Sequence, residues 1–143
     1  MNSVTLTVNN TQYSGWTEIN ITRGIEQIAG TFELRLTEKW PGSPELRRIR
    51  PGETCTVSID GVTVITGYVD DYLPTVTSTA HSVMIKGRDK TGDLVDCSAI
   101  YKTGSWKKKS IKTIATDLCK PFGIEVGSNT DLGAPFETVS IEN

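Results

Sequence analysis

Apolar side chains recur at every second position in several stretches of the first 88 residues, with polar side chains between them. This period of two is typical of a β-strand that buries one face and exposes the other. It predicts strands around Val4, Leu6 and Val8; Ile19 and Ile21; Phe32, Leu34 and Leu36; Cys55, Val57 and Ile59; Val62 and Val64; and Val83 and Ile85. Short strands separated by polar turns favour a small antiparallel barrel or sandwich over residues 1–88.

The dipeptide Asp60-Gly61 is a strong turn signal between two of these stretches. A two-residue turn that joins twisted antiparallel strands needs positive φ angles, which Asp and Gly tolerate. We therefore predict a hairpin at this point. We expect Val57, Ile59 and Val64 to contribute to one barrel core.

After Gly87 the apolar pattern becomes that of an amphipathic helix. Residues at positions i, i+3, i+4, i+7 and i+8 form one apolar stripe, which consists of Ile111, Ile114, Ala115, Leu118 and Cys119. Ser110 is suited to cap the start of this helix, while Pro121 and Gly123 are suited to end it. The sequence thus predicts one amphipathic helix in this region.

Three shorter apolar stretches give weaker signals. Residues 25–29 and residues 93–95 each predict a single helical turn. Val139 and Ile141 alternate like a last strand, but no partner follows them. The predicted fold is mainly β with minor α: a β-barrel-like N-terminal domain at residues 1–88, followed at residues 89–143 by an amphipathic helix that belongs to the start of a second, incomplete domain. One helix and a short apolar run are too little to build a second core.

The composition narrows the possible functions. Lys and Arg number 15 against 17 Asp and Glu, and a net charge of -2 gives no overall reason to bind nucleic acid or an anionic membrane. The N-terminal residues lack the basic and apolar regions of a signal peptide, and no window approaches the roughly 20 apolar residues that span a bilayer. We expect the chain to be made and kept in the cytosol, without a membrane anchor.

The reactive side chains do not form a recognisable catalytic or metal site. His81 is the one histidine, and Cys55, Cys97 and Cys119 contain no C-x-x-C pair, so we expect neither a disulfide framework nor a metal site. All three cysteines are interpreted as buried thiols. The acidic candidates are assigned to caps, turns and strand surfaces; they are Asp70, Asp71, Asp89, Asp93 and Asp96. Adjacent Asp70 and Asp71 would point to opposite faces of a strand, so they would not act as a carboxylate pair. We predict no catalytic residue, no metal and no cofactor.

Two basic clusters are the candidate interaction sites. One contains Arg47, Arg48 and Arg50, and the other contains Trp106, Lys107, Lys108 and Lys109. Residues 101–112 hold five lysines and no acid, whereas residues 121–143 hold four acids and no base. Such asymmetry favours either complementary surfaces between subunits or a wall that faces nucleic acid. The alternative is a solvated loop before the helix, although lysines near a helix N-terminus oppose its macrodipole and do not stabilise it.

Three segments carry a resemblance to a known family. They are SGWTEINITRGIEQIAGTFELRLTEKWPG (residues 14–42), IRPGETCTVSIDGVTVITGYVDD (residues 49–71) and GRDKTGDLVDCSAIYKTGSW (residues 87–106). The chain resembles the Mu tail protein P group of phage baseplate hub proteins over nearly its whole length and in the same order. It departs from that family in length, because those proteins continue into further domains.

The resemblance implies a structural role and no enzyme activity. It implies a homotrimeric hub ring that joins the tail tube to the membrane-piercing spike around an axial channel, with other baseplate proteins as partners and DNA close by in the channel. The location would be the tail baseplate of the virion, assembled in the bacterial cytoplasm. Two alternatives stay open: a carbohydrate- or host-surface-binding β-domain that uses Trp16, Trp40 and Trp106 as stacking platforms, and a baseplate hydrolase with two opposed carboxyl groups.

Overall fold

The computed structural model describes residues 3–37, 49–77, 81–99, 101 and 104–141. The chain divides into two compact units, Met1–Gly92 and Asp93–Asn143, which we call the first and the second unit. Within the described residues, no helix combines the length and apolar character needed to cross a membrane.

The first unit is a seven-stranded antiparallel sheet followed by a short 3-10 helix, Lys90–Gly92. Its strands are β1 (Val4–Val8), β2 (Thr11–Tyr13), β3 (Glu18–Thr22), β4 (Thr31–Thr37), β5 (Thr54–Ile59), β6 (Val62–Val76) and β7 (His81–Asp89). The order across the sheet is β2-β1-β5-β6-β7-β4-β3. The mainly β fold and the strands predicted from alternation are confirmed. Strand β2 was not predicted.

The sheet curls because its two edge strands are joined by a short connection. In a flat sheet, six steps of about 4.8 Å would separate β2 from β3 by about 29 Å. The five residue steps from Tyr13 to Glu18 reach at most about 18 Å. The two edges must therefore approach each other. Trp16 lies in this connection, and its Nε1 donates a 3.0 Å hydrogen bond to the carbonyl oxygen of Val4.

The concave face of the curled sheet holds the core of the first unit. Its buried members are Val4, Leu6, Val8, Phe32, Leu34, Ile49, Cys55, Val57, Ile65, Val69, Val83 and Ile85. Ile59 and Val64 are partly buried against this cluster. The predicted contributions of Val57, Ile59 and Val64 to one core are confirmed.

Two glycines allow neighbouring strands to approach closely. A Cβ atom on Gly67 would lie 1.9 Å from the carbonyl oxygen of Arg88, and one on Gly87 would lie 2.3 Å from that of Tyr68. Both distances are far shorter than a van der Waals contact. The close approach of β6 and β7 therefore depends on glycine at these two positions.

The predicted turn at Asp60-Gly61 is present, with φ angles of 49° and 82°. Positive φ at both residues is the mark of a type I′ turn, which matches the twist of the strands that it joins.

Further along β6, the register shifts at Val64 and again at Asp70, each of which is an extra residue opposite the neighbouring strand. The second bulge breaks the alternation of the strand. Asp70 and Asp71 are both exposed, and the bulge removes the strict alternation on which the expectation of opposite faces rested.

The second unit contains two helices and a two-stranded antiparallel sheet. Its elements are α1 (Asp93–Asp96), β8 (Ser105–Lys109), α2 (Ile111–Cys119), a 3-10 helix (Lys120–Phe122) and β9 (Phe136–Ser140). The predicted helix α2 and the predicted turn at residues 93–95 are both found. Residues 25–29 form no helix, because Ile25 is fully exposed and packs against nothing that would hold one. The last strand does have a partner: β9 pairs with β8, which precedes it in the chain.

Candidate assembly surface

Strand β8 contains Trp106 and three lysines, Lys107, Lys108 and Lys109. The tryptophan and the lysines differ in how far their side chains are exposed. The Trp106 side chain is 3% exposed, whereas the three lysines are exposed. The indole stacks on Tyr101 with ring centroids 4.3 Å apart, and its Nε1 donates a 3.0 Å hydrogen bond to Oδ2 of Asp117 in α2. Trp106 was expected at a contact surface. Its buried ring instead positions the strand that carries the lysines.

The backbone of β8 is irregular at Lys108, where φ is 51°. The register pairs Lys107 with Thr138 and Lys109 with Phe136, which puts Lys108 at the position opposite Glu137. A left-handed residue inside a strand breaks the alternation of side chains. This irregularity is consistent with the exposure of all three consecutive lysines.

Helix α2 begins directly after β8 and contributes a fourth exposed lysine, Lys112. The side chain of Ser110 caps the helix by accepting a 3.3 Å hydrogen bond from the backbone nitrogen of Thr113. The helix is therefore stabilised by its cap and not by the neighbouring cations. We call Lys107, Lys108, Lys109 and Lys112 the lysine surface. Within the described part of the chain, none of the four forms an ion pair.

The second basic cluster is only partly described. Arg47 and Arg48 lie outside the described residues. Arg50 is exposed in the first unit, and its backbone nitrogen donates a 2.9 Å hydrogen bond to Oε2 of Glu53. The same Glu53 accepts a 2.9 Å hydrogen bond from Asn9. Arg50 thus belongs to a turn that is fastened to the β1–β2 hairpin.

Several acidic candidates have structural partners. Oδ1 of Asp70 lies 3.3 Å from Nε of Arg88, and Oδ2 of Asp89 lies 4.0 Å from Arg23. Two further ion pairs, Glu18–Arg35 and Glu33–Lys86, also join neighbouring strands on the outer face of the sheet. Among the described residues there is no group of three or more His, Cys, Asp or Glu side chains placed to hold a metal.

A shallow cleft of about 500 Å³ lies on the first unit between the β1–β2 turn and Lys90. Its lining consists mainly of hydroxyl and amide side chains, with neither His nor a carboxylate. Cys55 is the thiol on this lining. Burial, with a smaller contribution from the charge of Asp70, raises the pKa of Cys55 to about 12. The thiol is protonated at neutral pH and cannot act as a nucleophile there.

The remaining cysteines and the tryptophans differ in how far they are exposed. Cys119 is buried, but Cys97 is exposed, which corrects the expectation of three buried thiols. Trp16 is half-buried and hydrogen-bonded, Trp106 is buried, and Trp40 lies outside the described residues. Trp106 is stacked on Tyr101 and buried, so it offers no free stacking face of the kind that a sugar-binding domain would need.

Sequence reasoning missed Asp117 as the partner of Trp106. A signal was available, because a buried indole N–H needs an acceptor and Asp117 borders the apolar stripe of α2. The left-handed backbone of Lys108 had no signal, since Lys does not favour that conformation.

Both units match known protein families. Residues 3–89 match the family model described as "Mu phage baseplate assembly protein GpP-like, N-terminal". The chain belongs to the family of Mu-like phage baseplate hub proteins. Residues 91–143 match a second model of this family, "Baseplate hub protein gp44-like, second domain".

Individual proteins are similar to this chain to different degrees. The chain is 41% identical to baseplate hub protein gp44 of Escherichia phage Mu over 125 residues, which is 87% of this chain and 32% of that protein. The crystal structure of the 43 kDa tail protein of prophage MuSo2 from Shewanella oneidensis matches with a TM-score of 0.87 and 43% identity, over 98% of this chain and 44% of that one. A tail protein from Neisseria meningitidis MC58 shares the fold, with a TM-score of 0.77 and 24% identity over 99% of this chain and 40% of that one.

The chain spans about a third of the length of gp44 and less than half of the two tail proteins. At the level of the family, the hub relatives are structural components of a phage tail and not enzymes.

Proposed function

We propose that the chain forms the first two domains of a hub subunit that associates into a homotrimeric ring and links the tail tube to the central spike. The observation that carries this proposal is the pair of hub-domain matches, which cover residues 3–89 and 91–143 in chain order. In this proposal the chain resides in the tail baseplate of the virion, after assembly in the bacterial cytoplasm.

The construction of the first unit suits a structural module. Its curled sheet surrounds one core, and ion pairs join adjacent strands on the outer face. Such exposed pairs contribute little to stability, typically about 0–1 kcal/mol each, but they fix which strands lie side by side.

The second unit has a much smaller interior than the first. Its buried side chains among the described residues are Trp106, Ile114 and Cys119. We propose a domain boundary after residue 88, with residues 89–143 as the start of a larger second domain that is completed by further residues or by another copy. Ile111 and Phe136, which are 46% exposed each, would then be covered in the assembled hub.

The basic residues are proposed as contacts within the assembled ring. Lys107, Lys108 and Lys109 would face a neighbouring subunit or the axial channel, where DNA passes close by, and Arg47, Arg48 and Arg50 would do the same from the first unit. Trp106 would support this surface indirectly, because its buried ring holds β8, the strand that carries the lysines, against α2. Other proposed partners are the tail spike, the tail tube and other baseplate proteins.

Sedimentation equilibrium tests the proposal. We expect the hub subunit at its natural full length to sediment as a trimer, and the 143-residue chain to show weaker, concentration-dependent association because it lacks part of the interface. A full-length subunit that remains a monomer at every concentration would refute the ring. Cleavage of bacterial cell wall by the purified protein, abolished by an Asp→Ala change, would refute the purely structural role.

A further inference from the structure

The second unit carries two sets of exposed charged side chains, one basic and one acidic. One set is the lysine surface of β8 and the first turn of α2. The other is acidic and consists of Glu125, Asp131 and Glu137, all of which are exposed. No ion pair among the described residues includes a member of either set. Asp131 accepts a 3.0 Å hydrogen bond from the backbone of Gly133, which orders the loop that carries it.

Neither set is explained by the stability of the chain. The lysine surface adjoins the N-terminus of α2, where cations oppose the helix dipole. Glu137 occupies the register position opposite Lys108, yet no ion pair joins them. Exposed charges that form no ion pair among the described residues are available for contacts between molecules.

We propose that the lysine surface of one hub subunit docks on Glu125 and Asp131 in the second unit of the next subunit. The two surfaces differ, so the contact runs head to tail, and a contact of this kind closes into a ring when its rotation permits. This inference rests on the self-association put forward under the proposed function, and it identifies the residues that give that association its direction.

A second copy fits these charges better than a nucleic acid does. A phosphodiester backbone would neutralise the lysines but would be repelled by Glu125, Asp131 and Glu137 on the same small unit. The surface also contains no arginine, and its indole is buried, so it lacks the groups that recognise bases by hydrogen bonding or stacking. A copy of the chain supplies both signs of charge at once.

Charge reversal tests this arrangement. One variant carries Lys107→Glu and Lys109→Glu, a second carries Glu125→Lys and Asp131→Lys, and a third combines all four changes. At an ionic strength of about 0.15 M, we expect each double variant to weaken self-association at least about tenfold in sedimentation, because like charges then face each other. The combined variant should recover most of the loss, since its two surfaces are again complementary.

The matched control reverses charges in the first unit, with Glu26→Lys and Lys90→Glu, and should leave association unchanged. Equal weakening by this control, or failure of the combined variant to recover, would overturn the docking proposal. So would a lysine reversal that abolishes binding of a duplex DNA probe but leaves association intact. If the unaltered full-length subunit is itself monomeric, the ring fails together with this contact. If it is trimeric and insensitive to all reversals, the contact alone fails.

Discussion

The indole nitrogen of Trp106 donates a 3.0 Å hydrogen bond to Oδ2 of Asp117, and this bond joins β8 to α2. Because Trp106 is 3% exposed, its N–H has little access to water if Asp117 is removed. The strand that displays the lysines is therefore fastened to the helix by a charge-assisted bond in the small interior of the second unit.

Replacing Asp117 with Ala should destabilise the second unit by about 1–3 kcal/mol, because a buried donor is left without an acceptor. Asp117→Asn keeps an acceptor and should recover part of this loss. Denaturant unfolding provides the free energies, with Glu125→Ala as a control that should change stability by no more than about 0.5 kcal/mol. An unchanged midpoint in Asp117→Ala would show that the bond does not hold β8 in place.

Gly67 should tolerate no side chain, because a Cβ atom there would meet the carbonyl oxygen of Arg88 at 1.9 Å. We expect Gly67→Ala to destabilise the first unit by about 1–3 kcal/mol or more, since the backbone of β6 or β7 must shift. Gly24 is the matched control, because a Cβ atom at that position meets nothing within 4 Å. Thermal unfolding of the two alanine variants measures the difference, and equal melting temperatures would contradict the close approach of the strands.

Two positions in β6 should differ in how much truncation to alanine destabilises the first unit, because only one of them lies in the core. Ile65 is 1% exposed and Val62 is 67% exposed. Ile65→Ala should cost about 2–5 kcal/mol through lost burial and a residual cavity. Val62→Ala should stay within about 0.5 kcal/mol. Comparable losses in the free energy of unfolding at both sites, measured by chemical denaturation, would mean that the sheet does not bury the face that carries Ile65.

Alternation predicted most strands of the first unit well because they bury one face and expose the other; β3 was predicted too, although its Ile19 is 45% exposed. It could not identify β2, whose three residues contain a single apolar side chain, or β8, where one tryptophan is followed by three lysines. The partner of β9 was missed because it lies about thirty residues upstream, and pairing over such a distance leaves no local signal. The bulge at Asp70 was equally invisible, so strict alternation does not give the orientations of Asp70 and Asp71.

The exposed charges of the candidate surface could be predicted from the sequence, but the contacts that bury Trp106 could not. Charge asymmetry along the chain identified the lysines, which are indeed exposed, and the acidic segment that follows them. Trp106 was grouped with the lysines because it precedes them in sequence. Its burial depends on Asp117 and Tyr101, whose contacts form only when helix and strand pack together.

The three thiols should differ in reactivity. Cys97 is exposed, whereas Cys55 and Cys119 are buried, and burial raises the pKa of Cys55 from 9.0 to about 12. A thiol-specific reagent at neutral pH should modify Cys97 rapidly and the other two only after unfolding, because the thiolate is the reactive form. Mass spectrometry of peptides from the labelled protein identifies each site. Equal labelling of all three in the folded protein would contradict the burial of Cys55.

The same pKa shift predicts how stability depends on pH. The folded protein holds the Cys55 proton more tightly than the unfolded chain does, so this contribution is fully present below pH 9. As pH rises from 9 toward about 12, the unfolded chain loses the proton first, and the contribution is lost. The free energy of unfolding should therefore fall more steeply over this range in the unaltered protein than in Cys55→Ala. Parallel curves for the two proteins would show that the thiol titrates normally.

The register of β8 and β9 decides which amides of the last strand are protected. The backbone nitrogen of Ile141 donates a 2.8 Å hydrogen bond to the carbonyl oxygen of Gly104. In an antiparallel pair, hydrogen-bonded positions alternate with positions that are not bonded. The register therefore makes Val139 and Trp106 the next bonded pair, while the amides of Thr138 and Ser140 point away from β8.

Hydrogen exchange should follow this alternation through the last strand. We expect the amides of Val139 and Ile141 to exchange at least about tenfold more slowly than those of Thr138 and Ser140, because opening the ladder is required for the first two only. Residue-resolved exchange by NMR on the 143-residue chain measures all four in one experiment. Trp106→Ala serves as a matched perturbation: it removes the ring that fastens β8 to α2, so Val139 and Ile141 should then exchange as fast as their neighbours. Fast exchange of all four amides in the unaltered chain would mean that β9 does not pair with β8 in solution. Slow exchange of all four would instead show that another strand covers the outer edge of β9, as expected if a neighbouring copy completes this sheet.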